Sequence, residues 1–528
     1  MTMNGLTMMV AALMAVTAAV GDVAEYDNVI HPGKDDGTGF WNERSKWFMY
    51  APAFPFKRIA GATQYRFTVT DTKGGKNVFT AEKPTAALSP VWAKVNVADV
   101  TVVCEGVDAS GKVVGTAGER TFWKAAGFTS GKYPLPDRDL CEAARRVYEY
   151  VFNKPATQYL LDTGKFDLKD PINSYAAKNG AALMRAMLTY AKLDPSKRDR
   201  ALLVAEKAAD YLISISQPAG TPLEYLVPTY AGPGEGKVGI SNADKTMIKE
   251  PAGVVSCFLD LVKETGKAKY HDLAVKMGET FLRHQGEDGT WYLKVFLKDA
   301  KPCNPNRLLP IEMIGMLEKL YAETGRTEFR TAADRAFEYV NRERMESWNW
   351  EGQFEDTPPS KPYQNLTKHP PCSMAICIGK RFPGDKARIA QMRELLRFAE
   401  DQFVCWEQPC DGGPVRHFTT WHANKTYSEW LTPCALEQYG CYWPIDASAI
   451  KLIRTYVAMY RAEGKAVDLE KAKVLAASVL KAQRADGSIP TWWFNWDGKR
   501  CRGGNDWQNC MVASAAAIAE LGELLAEQ

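Results

Sequence analysis

The sequence has no excess of charge of either sign. Its 528 residues contain 66 lysines and arginines against 63 aspartates and glutamates. Nucleic acids and anionic membranes attract proteins through a surplus of positive charge, and a chain so close to neutrality has no such general attraction. We therefore expect neither a nucleic acid nor an anionic membrane as its partner.

Motifs that bind metals or cofactors are also missing. The 12 cysteines are scattered and none forms a Cys-x-x-Cys pair, so a zinc site is not expected. No cluster of metal ligands and no phosphate-binding loop is present, and the sequence therefore predicts chemistry without a cofactor. In an exported chain, Cys405 with Cys410 or Cys501 with Cys510 are candidate disulfide partners, but the spacing alone decides neither pair.

Only the N-terminus carries a long apolar run. Residues 5–21 read G-L-T-M-M-V-A-A-L-M-A-V-T-A-A-V-G, and acidic residues follow. The run is shorter than the roughly 20 residues that span a bilayer. It has the composition of a secretory signal peptide, although no lysine or arginine precedes it. The sequence predicts a signal peptide over residues 1–21, a secreted or periplasmic protein, and no integral membrane segment after cleavage.

Residues 22–126 have the apolar pattern of strands. The segments 65–70 (Y-R-F-T-V-T) and 100–107 (V-T-V-V-C-E-G-V) alternate or run apolar, and turns rich in Gly, Asp and Lys follow both. The pattern predicts a small β-sandwich similar to a fibronectin-type module. Its four tryptophans are expected in the core and at an interface with the following domain.

Residues 135–528 have the apolar period of amphipathic helices, of which twelve are predicted. The connections alternate between very short links and long loops, and short links join antiparallel neighbours. Residues 285–291 (Q-G-E-D-G-T-W) and 483–489 (Q-R-A-D-G-S-I) repeat related turns, which indicates a repeat architecture. The fold class is therefore mostly α. We predict an (α/α)6 toroid of six helical hairpins, with the long loops and the N-termini of six inner helices at one rim.

The tryptophans place the expected site at this rim. Outside the β region there are eleven, and all lie in or beside the long loops. The loop from Trp406 to Trp443 mixes them with histidines, carboxylates and an arginine. Aromatic faces pack on sugar rings while polar side chains bond the hydroxyls, and helix N-termini favour an anionic group. The predicted partner is a poly- or oligosaccharide.

Two rim segments carry a family resemblance. D-G-S-I-P-T-W-W at 486–493 and E-Q-Y-G-C-Y-W-P-I-D at 437–446 resemble the six-hairpin glycosidase superfamily. That group includes hydrolases acting on uronic acids, namely unsaturated glucuronyl and rhamnogalacturonyl hydrolases and β-glucuronidases. The chain is also similar to polysaccharide lyases built on α/α toroids, which often carry a β domain. The resemblance covers residues 135–528 at the level of architecture. It implies a carbohydrate-active enzyme but assigns no catalytic residue.

The first hypothesis is an exported glycoside hydrolase acting on a glycan that contains uronic acid. Hydrolysis generally uses two carboxyl groups, one of them a protonated acid. Glu355 and Asp356 lie among aromatic residues, whose desolvation would raise the pKa of such an acid. Asp446 is the natural partner across the rim. Each of the three has an alternative role as a solvated loop charge or as an acid that stabilises a helix start.

The second hypothesis is a polysaccharide lyase. Elimination at a uronate requires neutralisation of its carboxylate, a base and an acid. Arg416, His422, Asn424 and Tyr427 would supply such a set. His369, at the start of an inner helix, is a further candidate or a structural histidine. A third hypothesis, from another class, is a glycan-binding toroid without catalysis, because a fold does not fix a function.

The remaining candidates are polar or aromatic side chains of the long loops that are expected to contact the sugar. The alternative for each is ordinary packing or hydrogen bonding to the backbone. They are Tyr225, Tyr230, Arg307, Trp350, Glu351, Trp430, Glu437, Tyr442, Trp443 and Trp493.

Overall fold

The computed structural model describes most of the chain. The described residues are 25–31, 33, 39–231, 242–353, 361–407, 432–438, 441–444, 446–491, 495–496, 499–500 and 507–528. Only the backbone is described at 171, 438, 441–444, 446–447, 495–496 and 499–500.

The N-terminal region forms a five-stranded sheet in the order β1-β5-β4-β2-β3. All neighbours are antiparallel except the parallel pair β1–β5. In β4 every second residue is buried, as the predicted alternation requires. The described residues of this region form one sheet, so the β prediction is confirmed and the fibronectin-like sandwich is not. The elements are β1 (Trp47–Phe48), β2 (Gln64–Asp71), β3 (Lys76–Ala81), α1 (Ser89–Trp92), β4 (Asp99–Val107) and β5 (Val113–Lys124).

The sheet is fastened to the helical part of the chain through Asp401. The backbone amides of Met49 and Tyr50 donate to its carboxylate oxygen Oδ1 at 2.6 and 2.8 Å. The indole of Trp47 donates to its carbonyl at 2.6 Å. Trp41 and Trp47 are only 3% and 5% exposed. The expectation that these tryptophans serve the core and an interface is therefore confirmed.

The remainder of the chain is helical, and all twelve predicted helices are present, with one short helix (α3) in addition. The bounds are α2 (Leu140–Asn153), α3 (Pro155–Thr163), α4 (Ala176–Leu193), α5 (Arg198–Ser214), α6 (Lys249–Thr265), α7 (Ala268–His284), α8 (Ile311–Thr324), α9 (Thr327–Val340), α10 (His369–Arg381), α11 (Lys386–Phe403), α12 (Asp446–Glu463), α13 (Ala466–Ala482) and α14 (Gln508–Ala526).

The helices pack as six pairs around a closed inner ring. The pairs are α4–α5, α6–α7, α8–α9, α10–α11, α12–α13 and α14–α2, so the last helix closes on the first. The ring α4-α6-α8-α10-α12-α14 returns from α14 to α4. Helix α14 is long and apolar enough to cross a membrane, but it is the sixth inner helix and half of its most apolar 18-residue window is buried inside the protein. The predicted toroid is confirmed.

Short strands follow the helices within the long loops. Strands β6 and β7 form one antiparallel pair, β8, β9 and β10 form a three-stranded sheet, and β11 pairs with β12. The β6–β7 pair joins two neighbouring loops of the rim, whereas each of the other two sheets forms within a single loop. The bounds are β6 (Lys245–Met247), β7 (Lys294–Phe296), β8 (Val404–Cys405), β9 (Cys434–Gln438), β10 (Cys441–Pro444), β11 (Asn495–Trp496) and β12 (Lys499–Arg500).

The repeated turn sequence has one structure at both places. The side-chain amide of Gln483 donates to the carbonyl of Gly487 at 3.0 Å and to a carbonyl of the outer helix α2 at 2.9 Å. Gln285 makes the same bonds, to Gly289 at 2.8 Å and to the outer helix α9 at 2.9 Å. The repeat in the sequence therefore encodes the joint between one outer helix and the next.

Replacement of Gly487 by alanine is expected to destabilise this joint. Gly487 has φ of 91°, and an added Cβ would lie 2.5 Å from the carbonyl oxygen of Arg146. Strained backbone of this kind costs about 1–3 kcal/mol, and the collision adds to it. The measurement is the free energy of unfolding in denaturant. The matched control is Gly325→Ala, where φ is 67° and nothing lies within 4 Å of the new methyl group. Equal losses in both variants would contradict the prediction.

Candidate active site

A cavity of about 590 Å³ opens at the rim of the toroid where the inner helices begin. Each of the six inner helices contributes side chains from its N-terminal half, and the long loops complete the wall. The charged contributors from the helices are Lys178 and Arg185 of α4, Lys249 and Glu250 of α6, Glu312 of α8, His369 of α10 and Lys451 of α12.

Positive charge predominates among the described residues of this cavity. Of these, five basic side chains line it against three acidic ones, an excess of two. The N-termini of the inner helices add partial positive charge to the same space. Together they favour a ligand that carries negative charge. The basic residues are Lys178, Arg185, Lys249, Lys368 and Lys451, and the acidic residues are Glu250, Glu312 and Glu437.

A histidine and a carboxylate form a pair inside the cavity. The Nε2 atom of His369 lies 2.9 Å from Oε1 of Glu312. Protein surrounds both side chains, yet they remain 41% and 48% exposed to the cavity itself. Burial alone would favour the protonated acid. The hydrogen bond and charge of His369, with the charges of Lys249 and Lys451, outweigh it and lower the pKa of Glu312 to about 2.

His369 is neutral at physiological pH. Burial and the positive charge of Lys451 lower its pKa to about 4, although the hydrogen bond to Glu312 acts in the opposite direction. Because the Glu312 carboxylate can only accept a hydrogen bond, the imidazole proton must lie on Nε2. The Nδ1 atom then keeps its lone pair, and His369 is an oriented base.

Lys451 is a further cavity residue with a shifted pKa, and its pKa lies near physiological pH. Burial and the neighbouring Arg454 lower the pKa of its ammonium group to about 8, against the opposing charge of Glu312. A lysine with such a pKa is charged below pH 8 and can release a proton at modest cost.

The backbone before His369 is held by strand β9. Thr367 Oγ1 and Lys368 Nζ both donate to the carbonyl oxygen of Glu437 at 2.8 Å. Pro370 stands in the first turn of α10, where its fixed φ suits a helix start and its missing N–H has no partner to lose. These contacts fix the position from which His369 enters the cavity.

The opposite wall is aromatic. The rings of Tyr175 and Trp507 lie 5.7 Å apart, and Tyr175 is 5.7 Å from Tyr230. The ammonium group of Lys178 lies 5.7 Å from the centre of the Trp507 ring. A partly exposed indole beside a cation is a surface on which an anionic sugar can stack.

The structure brings two of the predicted residues into the cavity, His369 and Glu437. Tyr230 is 5% exposed and supports the aromatic wall from behind. Glu351 lies in the strand-like bridge to Leu366 that leads to the cavity residue Gly352.

Three other predicted contacts lie elsewhere. Trp350 is fully buried, because the apolar ring packs its loop onto the toroid, so it presents no surface to a sugar. Arg307 pairs with Asp288 at 2.9 Å and does not line the cavity. Tyr225 lies beside Lys276 of the outer helix α7. Their aromatic or cationic character reflects packing of the rim.

The remaining candidates lie outside the described residues or have only their backbone described. Helix α12 begins at Asp446, and β10 contains Tyr442 and Trp443, each without a described side chain. The residues outside the description are Glu355, Asp356, Arg416, His422, Asn424, Tyr427, Trp430 and Trp493.

Sequence reasoning missed most of the charged cavity. Glu312, Lys249, Lys451, Lys178 and Arg185 were not singled out, because they stand in amphipathic helices rather than in the long loops. The available signal was their position. The prediction already placed the N-termini of the inner helices at the rim, so polar residues in their first turns belong to the site.

Comparisons with known proteins identify the fold. No protein-family model and no curated protein sequence matches the chain. Among solved structures, a D-mannose isomerase superposes with a TM-score of 0.52 at 12% identity, over 73% of this chain and 99% of its own. The chain has the six-hairpin toroid fold.

Two further solved structures share the toroid at lower similarity. A family 76 glycoside hydrolase from a bovine Bacteroides thetaiotaomicron strain has a TM-score of 0.46 at 12% identity, over 88% of this chain and 93% of its own. An unsaturated glucuronyl hydrolase specific for heparin has a TM-score of 0.46 at 8% identity, over 73% and 98%. The predicted resemblance to the six-hairpin superfamily is confirmed at the level of the fold by the closed ring of hairpins and by the superposition of the D-mannose isomerase, and identities this low carry nothing beyond the fold.

Proposed function

We propose that the protein is a carbohydrate-active enzyme that cleaves a uronate-containing poly- or oligosaccharide by β-elimination. The observation that carries the proposal is the neutral His369, oriented by Glu312 inside a cavity with an excess of positive charge. Export of the enzyme remains a proposal based on the apolar run at residues 5–21.

The chemistry follows from the charges. Cavity cations pair with the uronate carboxylate, which makes the proton on the adjacent C5 more acidic. Nδ1 of His369 takes that proton. The electron pair of the broken C5–H bond forms the C4=C5 double bond, and the C4–oxygen bond breaks with its electrons leaving on the oxygen. The departing sugar oxygen takes a proton, for which the Lys451 ammonium is the candidate donor. The products are an unsaturated uronate and a sugar with a free hydroxyl group.

Hydrolysis is the second candidate. The carboxylates of Glu250 and Glu437 line the same cavity from two other elements, and hydrolysis uses such a pair. Glu312, which also lines the cavity, has a lowered pKa, whereas a general acid for hydrolysis needs a raised one. This difference favours elimination. Glu355, Asp356 and Asp446 remain predicted residues of the hydrolase.

The deciding experiment incubates purified protein with a panel of uronate-containing glycans. Ultraviolet absorbance of the unsaturated uronate and new reducing ends are followed together. Elimination raises both signals. New reducing ends without absorbance would replace the lyase with the hydrolase. D-mannose, incubated in parallel, is expected to remain unchanged because a neutral monosaccharide makes no use of the cavity cations. Its conversion to a ketose would contradict the proposal.

The pH dependence of kcat/KM is expected to have two limbs. His369 accepts a proton only when neutral, so activity rises as the pH increases through about 4. Lys451 donates only when charged, so activity falls as the pH increases through about 8. The ratio kcat/KM reports these groups in the free enzyme.

The variant Lys451→Arg separates the two limbs. Arginine stays charged over the whole accessible range and releases its proton far less readily, so kcat/KM should decrease, and the residual activity should lack the fall near pH 8 while the limb near pH 4 remains. An unchanged upper limb in this variant would assign it to another group.

A further inference from the structure

Two cysteines face each other at the base of the longest loop. Strands β8 and β9 are antiparallel, and Cys405 stands directly opposite Cys434 in their register. The two side chains are 0% and 4% exposed, and the thiols are close enough for Cys434 to influence the ionisation of Cys405. Both are present as free thiols.

The register of the two strands places the Cα atoms of Cys405 and Cys434 at a distance that a disulfide can span. Directly opposite residues of antiparallel strands have Cα atoms about 4.5 or 5.5 Å apart, depending on the pair type. Disulfides span Cα distances of about 4.4–6.8 Å. The Cα distance of either pair type therefore lies within the range of a disulfide.

We propose that Cys405 and Cys434 form a disulfide bond when the protein folds in an oxidising environment. The two thiols lose two protons and two electrons, and a small-molecule disulfide such as oxidised glutathione takes them up and becomes two thiols. This pairing differs from both pairs suggested by spacing, Cys405 with Cys410 and Cys501 with Cys510.

The folded state protects the thiols from later reaction. Burial and the neighbouring Cys434 thiol raise the pKa of Cys405 well above its ordinary value. The thiolate, which is the reactive form, is therefore scarce once the strands have paired. The bond is expected to form while the chain folds, before the two thiols are buried.

The bond would join the ends of the segment 406–433 and pin strand β9. That strand carries Glu437, which lines the cavity. The backbone carbonyl of Glu437 accepts hydrogen bonds from the side chains of Thr367 and Lys368, immediately before His369. Closing a long segment covalently stabilises a fold mainly by restricting the unfolded chain. The disulfide thus fastens one wall of the site, and it stands independently of the reaction that the site performs.

The test maps cysteines after oxidation. The full chain is refolded from urea with oxidised glutathione, and remaining thiols are alkylated under denaturing conditions. Cleavage after glutamate places all four nearby cysteines on separate peptides: Cys405 on 401–407, Cys410 on 408–429, Cys434 on 430–437 and Cys441 on 438–463. Mass spectrometry is expected to find 401–407 linked to 430–437, and reduction should separate them.

Other results would overturn the proposal. One such result is that Cys405 and Cys434 are both recovered as alkylated thiols. Another is a disulfide between peptides 401–407 and 408–429, which would pair Cys405 with Cys410. Cys257→Ala, a buried cysteine in α6, should leave the linked peptides unchanged. A reductant should lower the melting temperature of the oxidised protein by about 5 °C and leave that of Cys405→Ser unchanged. An equal response of the two proteins would contradict the bond.

Discussion

Replacing His369 with glutamine is expected to lower kcat/KM on a uronate glycan by about 10²–10⁴-fold, the usual contribution of a positioned base. The amide has no basic nitrogen, so the step that removes the C5 proton loses its acceptor. Glu312→Gln should have an effect of similar size. The amide of the new glutamine can donate a hydrogen bond to Nε2 of His369. The imidazole proton then lies on Nδ1, which no longer has a free lone pair to accept the C5 proton.

The matched control is His271→Gln. This histidine also lies beside a carboxylate, with Nδ1 3.4 Å from Oδ1 of Asp272, but it stands on the exposed surface of the outer helix α7. The control should keep full activity. Melting temperatures separate lost chemistry from lost folding. If His369→Gln is folded and turns over glycan at the wild-type rate, the dyad is not the catalytic pair.

Replacing Lys471 with methionine is expected to destabilise the protein by about 3–5 kcal/mol, because it leaves a buried charge without its partner. Lys471 Nζ lies 2.9 Å from the carboxylate of Glu400, and these side chains are 3% and 2% exposed. The same carboxylate accepts hydrogen bonds from the hydroxyl groups of Tyr26 and Tyr50 and from the indole of Trp406. Denaturant unfolding measures the loss.

A second variant distinguishes an unpaired charge from lost packing. In Lys471→Met with Glu400→Gln no charge remains, so most of the stability should return. Lys269→Met is the surface control: its pair with Asp210 is about half exposed and should change stability by less than about 1 kcal/mol. The prediction fails if the double variant is no more stable than Lys471→Met.

The Glu400 network also explains how the N-terminal sheet is joined to the toroid. Tyr26 and Tyr50 belong to the N-terminal region, while Lys471 belongs to α13 and Trp406 follows α11. One buried carboxylate thus holds parts of the chain that are distant in sequence. The sequence did not predict which residues contact Glu400, because a buried lysine in an outer helix has the same local pattern as an exposed one.

The helical architecture was predictable because its signals are local. Apolar periodicity, short links between hairpins and the repeated turn at 285–291 and 483–489 each depend on neighbouring residues. All twelve helices followed from these signals. The strands of the N-terminal region were also predicted, but the fibronectin-like sandwich was not confirmed. Alternation predicts strands and does not state how many sheets they form.

Aromatic content was a weaker guide to the site than position. Trp350 was expected to contact a sugar, yet it is fully buried, whereas Trp507 at the start of α14 lines the cavity. Tryptophan packs a long loop as readily as it binds a ligand. The sequence indicates that the rim is aromatic but not which rings face the cavity.

By itself, the sequence determined that the chain is a toroid of six helical hairpins and indicated a candidate site at one rim, because periodicity and loop length act between near neighbours. Tertiary structure alone decided which groups meet there. Glu312 and His369 are 57 positions apart and come together only because α8 and α10 are adjacent in the closed ring. Their protonation is set by burial and by Lys451 from a third helix, so no local pattern contains it.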